Sequence, residues 1–288
     1  MTRETIPDLK DFRALALRLN EAASAETLPR FRNKTEVFNK AGIWFDPVTQ
    51  ADREAERAMR RMIRMVFPKH AILGEEFGEE PGDGHHEAGT VSDWRWVLDP
   101  IDGTRAFVCG VASWMTLIGL EYKGEPVMGL IEQPFTGESW LGVPGETIYR
   151  RNDEAIKCET SDVTSLDRAR VTTTDPRAID GYFDKSEAEV FSQLGRKSRL
   201  ARFSLDAYAY ALLALGELDV VLEAGLARYD YAALIPVVEG AGGVVTNWRG
   251  ELMGSDARGE ILACATPQLH EDTLALIADI REQQGAAT

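Results

Sequence analysis

Trp94-Arg95-Trp96-Val97-Leu98-Asp99-Pro100-Ile101-Asp102-Gly103-Thr104 is the stretch on which the fold turns. Its apolar half, Trp94 to Leu98, reads as a buried strand. Asp99 and Asp102 then set two carboxylates three residues apart at the strand's end, where they can converge on one point. Pro100 fixes a backbone angle, Gly103 lets the chain turn sharply, and Thr104 adds a hydroxyl beside the acids. Such a group is a hard-oxygen ligand set, suited to Mg²⁺ or Mn²⁺ and poorly suited to soft metals. Asp, Pro and Gly are also turn formers, so residues 99–104 alone read either as a metal loop or as a turn.

Upstream, Leu9, Phe12, Leu15, Ala16, Leu19, Ala22 and Ala23 share one helical face and predict an amphipathic helix over 8–26. Asp46-Pro47-Val48-Thr49 reads as a turn leading into a second helix, with Ala55, Met59, Met62, Ile63 and Val66 on its apolar face. Thr49 and Asp52 have the spacing of a capping box, and Pro68 ends the helix. Residues 71–75 read as a short buried strand and residues 78–92, rich in Gly, Glu and His, as a surface loop. Downstream, three strand-like runs between Trp114 and Val143 are separated by Lys123-Gly124-Glu125 and Phe135-Thr136-Gly137-Glu138, an antiparallel meander. A loop and short strand follow at 152–157.

The second half alternates. Strands are expected at 171–174, 218–222, 244–246 and 261–263, and helices at 187–194, 207–215, 232–238 and 274–280. The change of character predicts two intimately packed subdomains, α+β over 1–160 and α/β over 161–288, with the boundary near 155–170.

The chain has 288 residues and a net charge of −15. That balance argues against nucleic acid as a partner, because phosphate backbones need Lys and Arg. It is compatible with a small phosphate ester if bound cations invert the local field. Cys109, Cys158 and Cys264 form no CxxC pair and read as reduced thiols of a cytoplasmic protein. Cys109 has no nearby His to make it a nucleophile. The charged N-terminal segment does not read as a signal peptide, and no apolar run reaches membrane-span length, so no membrane partner is expected. His85-His86 has the look of a zinc pair, but its Gly-rich surroundings read as loop.

More acids stand at the ends of apolar elements: Asp52, Glu75-Glu76, and Asp230 seven residues after Glu223. Singly, Asp52 and Asp230 read as helix-start carboxylates and Glu75-Glu76 as a solvated acidic loop. Jointly they change the picture. With Asp46 to Asp52, Gly74-Glu75-Glu76, Asp99 to Thr104 and Tyr229-Asp230-Tyr231-Ala232-Ala233 in this order, the chain resembles the inositol monophosphatase superfamily of metal-dependent phosphatases. The resemblance runs from about residue 10 to 275. It implies a layered αβαβα sandwich of the sugar-phosphatase type, two or three Mg²⁺ ions (or Mn²⁺), and a homodimer. It further implies that Glu75, Asp99 and the Ile101 carbonyl hold a first ion and Asp99, Asp102 and Asp230 a second. Glu75, with Asp52 through water, would hold a third, and Glu76 would support Glu75. Gly103 and Thr104 would start a helix that receives the phosphate, while Thr104, Thr49 and Asp52 orient the attacking water. The chemistry agrees: paired metals lower the pKa of bound water and clamp the oxygens of an in-line displacement, leaving little covalent work to the protein. No Ser-His or Cys-His arrangement is evident, and none is then required.

Several runs resemble one branch of that superfamily, the histidinol-phosphate phosphatases: Trp96 to Asp102, Gly129 to Pro134, Thr172 to Pro176, Asp206 to Leu212, and Tyr229 to Gly243. Where the wider superfamily has Trp before the last metal Asp, this chain has Tyr229, which the branch tolerates. Asp206 and Glu223 can pair with an ammonium and an imidazole, and Tyr208 can line the ring. Asp206 also reads as a helix cap and Tyr208 as a core residue. The expectation is hydrolysis of L-histidinol phosphate to L-histidinol and phosphate, in histidine synthesis. Inositol-1-monophosphatase, 3′-phosphoadenosine phosphate nucleotidase and a catalytically silent metal-binding regulator stand as alternatives.

Overall fold

The computed structural model describes residues 7–33, 37–39, 47–83, 92–178, 182–253 and 258–286. It begins with α1 (Lys10–Thr27), the antiparallel pair β1 (Val37–Asn39) and β2 (Pro47–Thr49), and α2 (Gln50–Val66). Thr49 caps α2 as its spacing with Asp52 predicts: its hydroxyl accepts from the Ala51 N–H at 3.1 Å, and Asp52 accepts from the Thr49 N–H at 2.9 Å. Pro47–Thr49, read as a turn, is instead a strand, because Val37–Asn39 supplies a pairing partner that local sequence does not reveal. Asp46 lies outside the described residues.

The first sheet takes β3 (Ala71–Gly74), β4 (Gly78–Glu80) and β5 (Trp94–Asp102); after α3 (Thr104–Cys109) it continues through β6 (Met115–Tyr122), β7 (Glu125–Gln133), β8 (Glu138–Val143), β9 (Glu146–Arg151) and β10 (Glu154–Lys157). Its order is β10-β9-β8-β7-β6-β5-β3-β4, antiparallel except where β3 runs parallel to β5. The predicted meander is present and longer than predicted, since Pro144-Gly145 turns the chain into β9. β4 corrects the loop reading of 78–92: Gly78–Glu80 pairs back onto β3. Residues 84–91, with His85 and His86, lie outside the described residues.

The second sheet follows a 3₁₀ turn at Leu166–Arg168. Its elements are β11 (Arg170–Thr173), α4 (Lys185–Lys197), β12 (Leu200–Phe203), α5 (Tyr208–Ala214), β13 (Val220–Glu223), α6 (Arg228–Tyr231), α7 (Leu234–Gly240), β14 (Val244–Thr246), β15 (Ile261–Cys264) and α8 (Pro267–Ala286). The order is β12-β11-β13-β15-β14, with β11 parallel to β12 and β13 and β15 antiparallel to both neighbours.

Three large apolar cores among the described residues stack these elements, and a smaller fourth lies under the Asp99–Thr104 loop. Leu15, Leu19, Met59 and Ile63 of α1 and α2 pack on Trp96, Leu98, Ile118 and Leu130 of the first sheet. Between the sheets, Tyr210 and Leu213 of α5 and Leu234 and Val237 of α7 meet Leu117, Ile131, Trp140, Val221 and Ala263. Outside the second sheet, Val190, Phe191, Leu276 and Ile277 of α4 and α8 cover Val171, Val220, Leu222 and Leu262. The result is the αβαβα sandwich. Helix α7 lies directly on the backbone of the first sheet: a Cβ on Gly129 would fall 1.9 Å from the Ala233 carbonyl oxygen, and one on Gly142 2.4 Å from the Val237 Cα.

Candidate active site

The end of β5 carries a bulge. Its pairing with β6 shifts between Asp99 and Asp102, which bends the strand and re-aims the acids. Asp99 Oδ1 accepts from the Ile101 N–H at 3.1 Å, and Thr116 donates to the Pro100 carbonyl at 2.9 Å. Below the loop, Phe31, Ala51, Phe107 and Trp114 bury the Ile101 side chain. Gly103 takes a left-handed φ of 78°, a conformation that side chains resist, and so caps α3. The Thr104 hydroxyl donates to the Ile101 carbonyl at 3.0 Å.

Asp230 arrives from the opposite side. It lies within the one-turn helix α6, ahead of the apolar helix α7 as its position in sequence suggests. Its Oδ2 accepts from the Ala227 N–H at 2.6 Å. Carboxylate oxygens of Asp99, Asp102 and Asp230 lie within 4.8 Å of one another. Glu75 follows β3, its N–H donating to the Leu98 carbonyl at 3.1 Å and its carboxyl adjoining Asp99. Burial, and after it the charges of Glu75, Asp102 and Asp230, hold Asp99 well above the usual carboxylate range. Burial, with Asp206 and Asp230 beside it, does the same to Asp102.

Asp52 is fully buried at the head of α2. Its Oδ2 accepts from the Thr49 N–H and, at 2.6 Å, from the Thr49 hydroxyl, while Oδ1 has no hydrogen-bond partner among the described residues. Burial raises its carboxyl to about 7, against the lowering pull of Thr49 and with a further push from Glu76 and Glu75. The Glu76 carboxyl is 1% exposed and 3.6 Å from the Arg53 guanidinium. Converging acids held above their ordinary pKa, next to an orphaned buried oxygen, form a donor set with too much negative charge for itself. Hard divalent cations fit it.

A second acidic pair adjoins the first. The Asp206 carboxyl lies against Gly103, where a Cβ would fall 3.0 Å from its Cγ, and the next residue, Ala207, donates its N–H to Asp102 Oδ2 at 2.7 Å. Asp206 is not a helix cap: α5 begins after Ala207 without a side-chain cap. Glu223 accepts from the Thr174 N–H at 2.9 Å and hydroxyl at 2.6 Å, and the Tyr210 hydroxyl donates to it at 3.4 Å. Burial pushes Asp206 up to about 6 and Glu223 to about 7. Tyr208 does not join them. Its hydroxyl donates to Glu138 at 3.1 Å and its ring meets Trp140 edge-on. On a helix, two residues on is about 200° around, so Tyr210 takes the place expected of Tyr208. Tyr182, with the Arg105 guanidinium 4.9 Å over its ring, also lies near Asp206 and Glu223. Tyr182, Arg105, Thr174 and Tyr210 carry no local sequence signal that places them here, since Asp206 stands outside α5 with a left-handed φ and sets no helical spacing to Tyr210.

A layered αβαβα sandwich with a carboxylate cluster at a bulged strand end defines a class, the metal-dependent phosphomonoesterases. Residues 8–283 match the model of the Inositol monophosphatase family, and the chain belongs to that family. It is 39% identical over 244 residues to the bifunctional phosphatase IMPL2, chloroplastic, of Arabidopsis thaliana, a match spanning 85% of this chain and 66% of that protein. It is 34% identical to a histidinol-phosphatase of Chlorobaculum parvum over 89% of this chain and 92% of the relative. A solved inositol monophosphatase from Zymomonas mobilis superposes with a TM-score of 0.79 at 36% identity, covering 95% of this chain and all of that one. The family uses divalent metals, and Asp99, Asp102 and Asp230 are consistent with such a site. Among the described residues no helix is long and apolar enough to cross a membrane.

Proposed function

We propose that this phosphomonoesterase acts on L-histidinol phosphate. The observation that carries the reading is the second acidic pair: the half-buried Asp206 and the buried Glu223 stand beside the metal-type cluster, placed to meet a substrate alcohol bearing positive charge. The Chlorobaculum parvum relative, named a histidinol-phosphatase, supports it. Bound Mg²⁺ would supply a nucleophilic water at neutral pH and neutralise the phosphate oxygens. Glu75, Asp99 and the Ile101 carbonyl would hold one ion, Asp99, Asp102 and Asp230 another, and Glu75 with Asp52 a third. Thr49 and Asp52 form a hydroxyl–carboxyl pair, joined at 2.6 Å, that would orient the attacking water. Thr104, whose proton goes to the Ile101 carbonyl, presents its oxygen as an acceptor to the same water. The N–H groups of Gly103 and Thr104 receive the phosphate, and Glu76 backs Glu75.

Inositol 1-phosphate is the second reading, favoured by the likeness to the Zymomonas mobilis enzyme. Phosphate release from both esters in Mg²⁺ separates them: kcat/KM is expected to be higher for histidinol phosphate, and the reverse order overturns the assignment. The same reading implies a cytoplasmic homodimer. A monomeric mass by light scattering would remove that part of it.

A further inference from the structure

We propose that Glu56 is a positioning residue that straps the turn bearing Glu75 and Glu76 to α2, the helix bearing Asp52. The proposal rests on the reading of Glu75 and Asp52 as groups that hold divalent cations. Asp52, Glu56 and Arg60 form an i, i+4, i+8 stripe on the buried side of α2, among Ala55, Met59 and Ile63. Glu56 is fully buried. Its Oε2 accepts from the Glu76 N–H at 2.7 Å, and its Oε1 accepts from the Phe77 N–H at 3.3 Å and from Arg60 Nε at 2.7 Å. Arg60 continues to the Gly78 carbonyl at 2.5 Å and to Glu80 at 2.9 Å. The residue before Glu75 is held from the same side: a Cβ on Gly74 would sit 2.0 Å from Glu56 Oε1. Glu75 thus lies between two residues in contact with one carboxylate, while its own N–H is tied to β5. A buried carboxylate is costly, and a lone Glu–Arg pair could be replaced by apolar packing. Glu56 spends its oxygens on the N–H groups of the metal turn, which apolar packing could not do. The arrangement fixes Glu75 relative to Asp52, one helical turn away.

The test is Mn²⁺ binding by calorimetry without substrate, with activity as a second readout. Glu56→Gln keeps the volume but sets an amide N–H₂ among donors. It is expected to weaken Mn²⁺ binding about 10–100-fold, as loss of a group that orients metal ligands does. KM for the phosphate ester at saturating metal should stay as in the wild type. A residue that only stabilises the fold would lower the melting temperature and leave Mn²⁺ affinity unchanged, and that result overturns the strap. A cycle of Gly74→Ala, Glu56→Ala and the double variant keeps the question open to decision if one variant folds poorly. Gly74→Ala alone should displace the Glu56 carboxylate and lose metal affinity, while added to Glu56→Ala it should cost nothing further, because the methyl enters vacated space. Additive losses overturn the proposal. Wild-type protein that takes up no Mn²⁺ would instead remove the metal reading, and the strap with it.

Discussion

Asp206 is one residue whose replacement is expected to separate substrate choice from chemistry. It adjoins the cluster of Asp99, Asp102 and Asp230 without belonging to it, and its neighbour Ala207 makes the tie to Asp102 through the backbone. Asp206→Asn should preserve that tie while removing the charge that would meet a substrate cation. A charge-assisted hydrogen bond is worth about 1.5–3 kcal/mol, so KM for histidinol phosphate should rise roughly 10-fold or more. KM for inositol 1-phosphate should change far less; equal effects would take Asp206 out of recognition. Tyr208→Phe should leave both constants unchanged, since its hydroxyl serves Glu138. The contrast between Tyr208 and Tyr210 marks where reading stops at this scale. Asp99 and Asp102 were legible from their own turn-rich hexapeptide, whereas Glu75 and Asp230 were legible only jointly, through the order of the acidic motifs along the chain. Which tyrosine faces the acids depends on the phase of α5, set by where the helix begins, and no local pattern announces that. Glu56 left a signal that went unread: a charged stripe continuing Asp52 along the face that hydrophobic spacing marks as buried.

Elements bring the acids together, and the close fit of α7 on the first sheet is part of that. Gly129→Ala would drive a methyl into the Ala233 carbonyl. Overpacking of this kind costs about 1–3 kcal/mol, a drop of roughly 3–10 °C in melting temperature for a chain of this size. Because α6 precedes α7 and carries Asp230, the Mg²⁺ concentration for half-maximal activity should rise as well. Gly145→Ala is the control. Its φ of +80° makes any side chain strained, yet nothing lies within 4 Å, so it should cost about 1–2 kcal/mol and leave the metal requirement alone. Matching metal requirements in the two variants would refute the link between α7 packing and Asp230. Helices α1 and α2 and strands β5 to β8 were legible because their apolar residues repeat at helical spacing or in buried runs broken by hairpin turns. β4, β12 and the β1–β2 pair were not. β4 and β12 are edge strands whose side chains are largely solvent-exposed, so no alternation marks them. β1 and β2 find their register only in each other.

For the whole molecule, a net charge of −15 and a converging acidic site should make stability depend jointly on protons and cations. Asp52 and Glu223 titrate near 7 in the folded chain against ordinary values of 3.8 and 4.5, chiefly because they are buried. Between about pH 4 and 7 the metal-free folded state therefore holds more protons than the unfolded chain, and its stability falls as pH rises through that window. His70 works in the opposite sense. Burial lowers it to about 4 from 6.5, so the folded state holds fewer protons there and stability is lost as pH falls through that range. The two contributions overlap in any single melting curve. Subtracting the melting temperature in chelator from that in saturating Mg²⁺ cancels His70, which lies in an aromatic cluster with Phe67 and Trp94 and donates nothing to the acidic site. What remains is competition between cations and protons for the same carboxylates. The gain in melting temperature from Mg²⁺ should therefore be small near pH 5, grow through neutrality and level off above about pH 8. Asp102→Asn should reduce that gain at every pH while leaving in place the chelator curve's acid limb, to which His70, His270 and the Arg-paired Asp219 contribute. A gain that is flat from pH 5 to 8 in the wild type would mean that the raised carboxyls and the cations do not share a site.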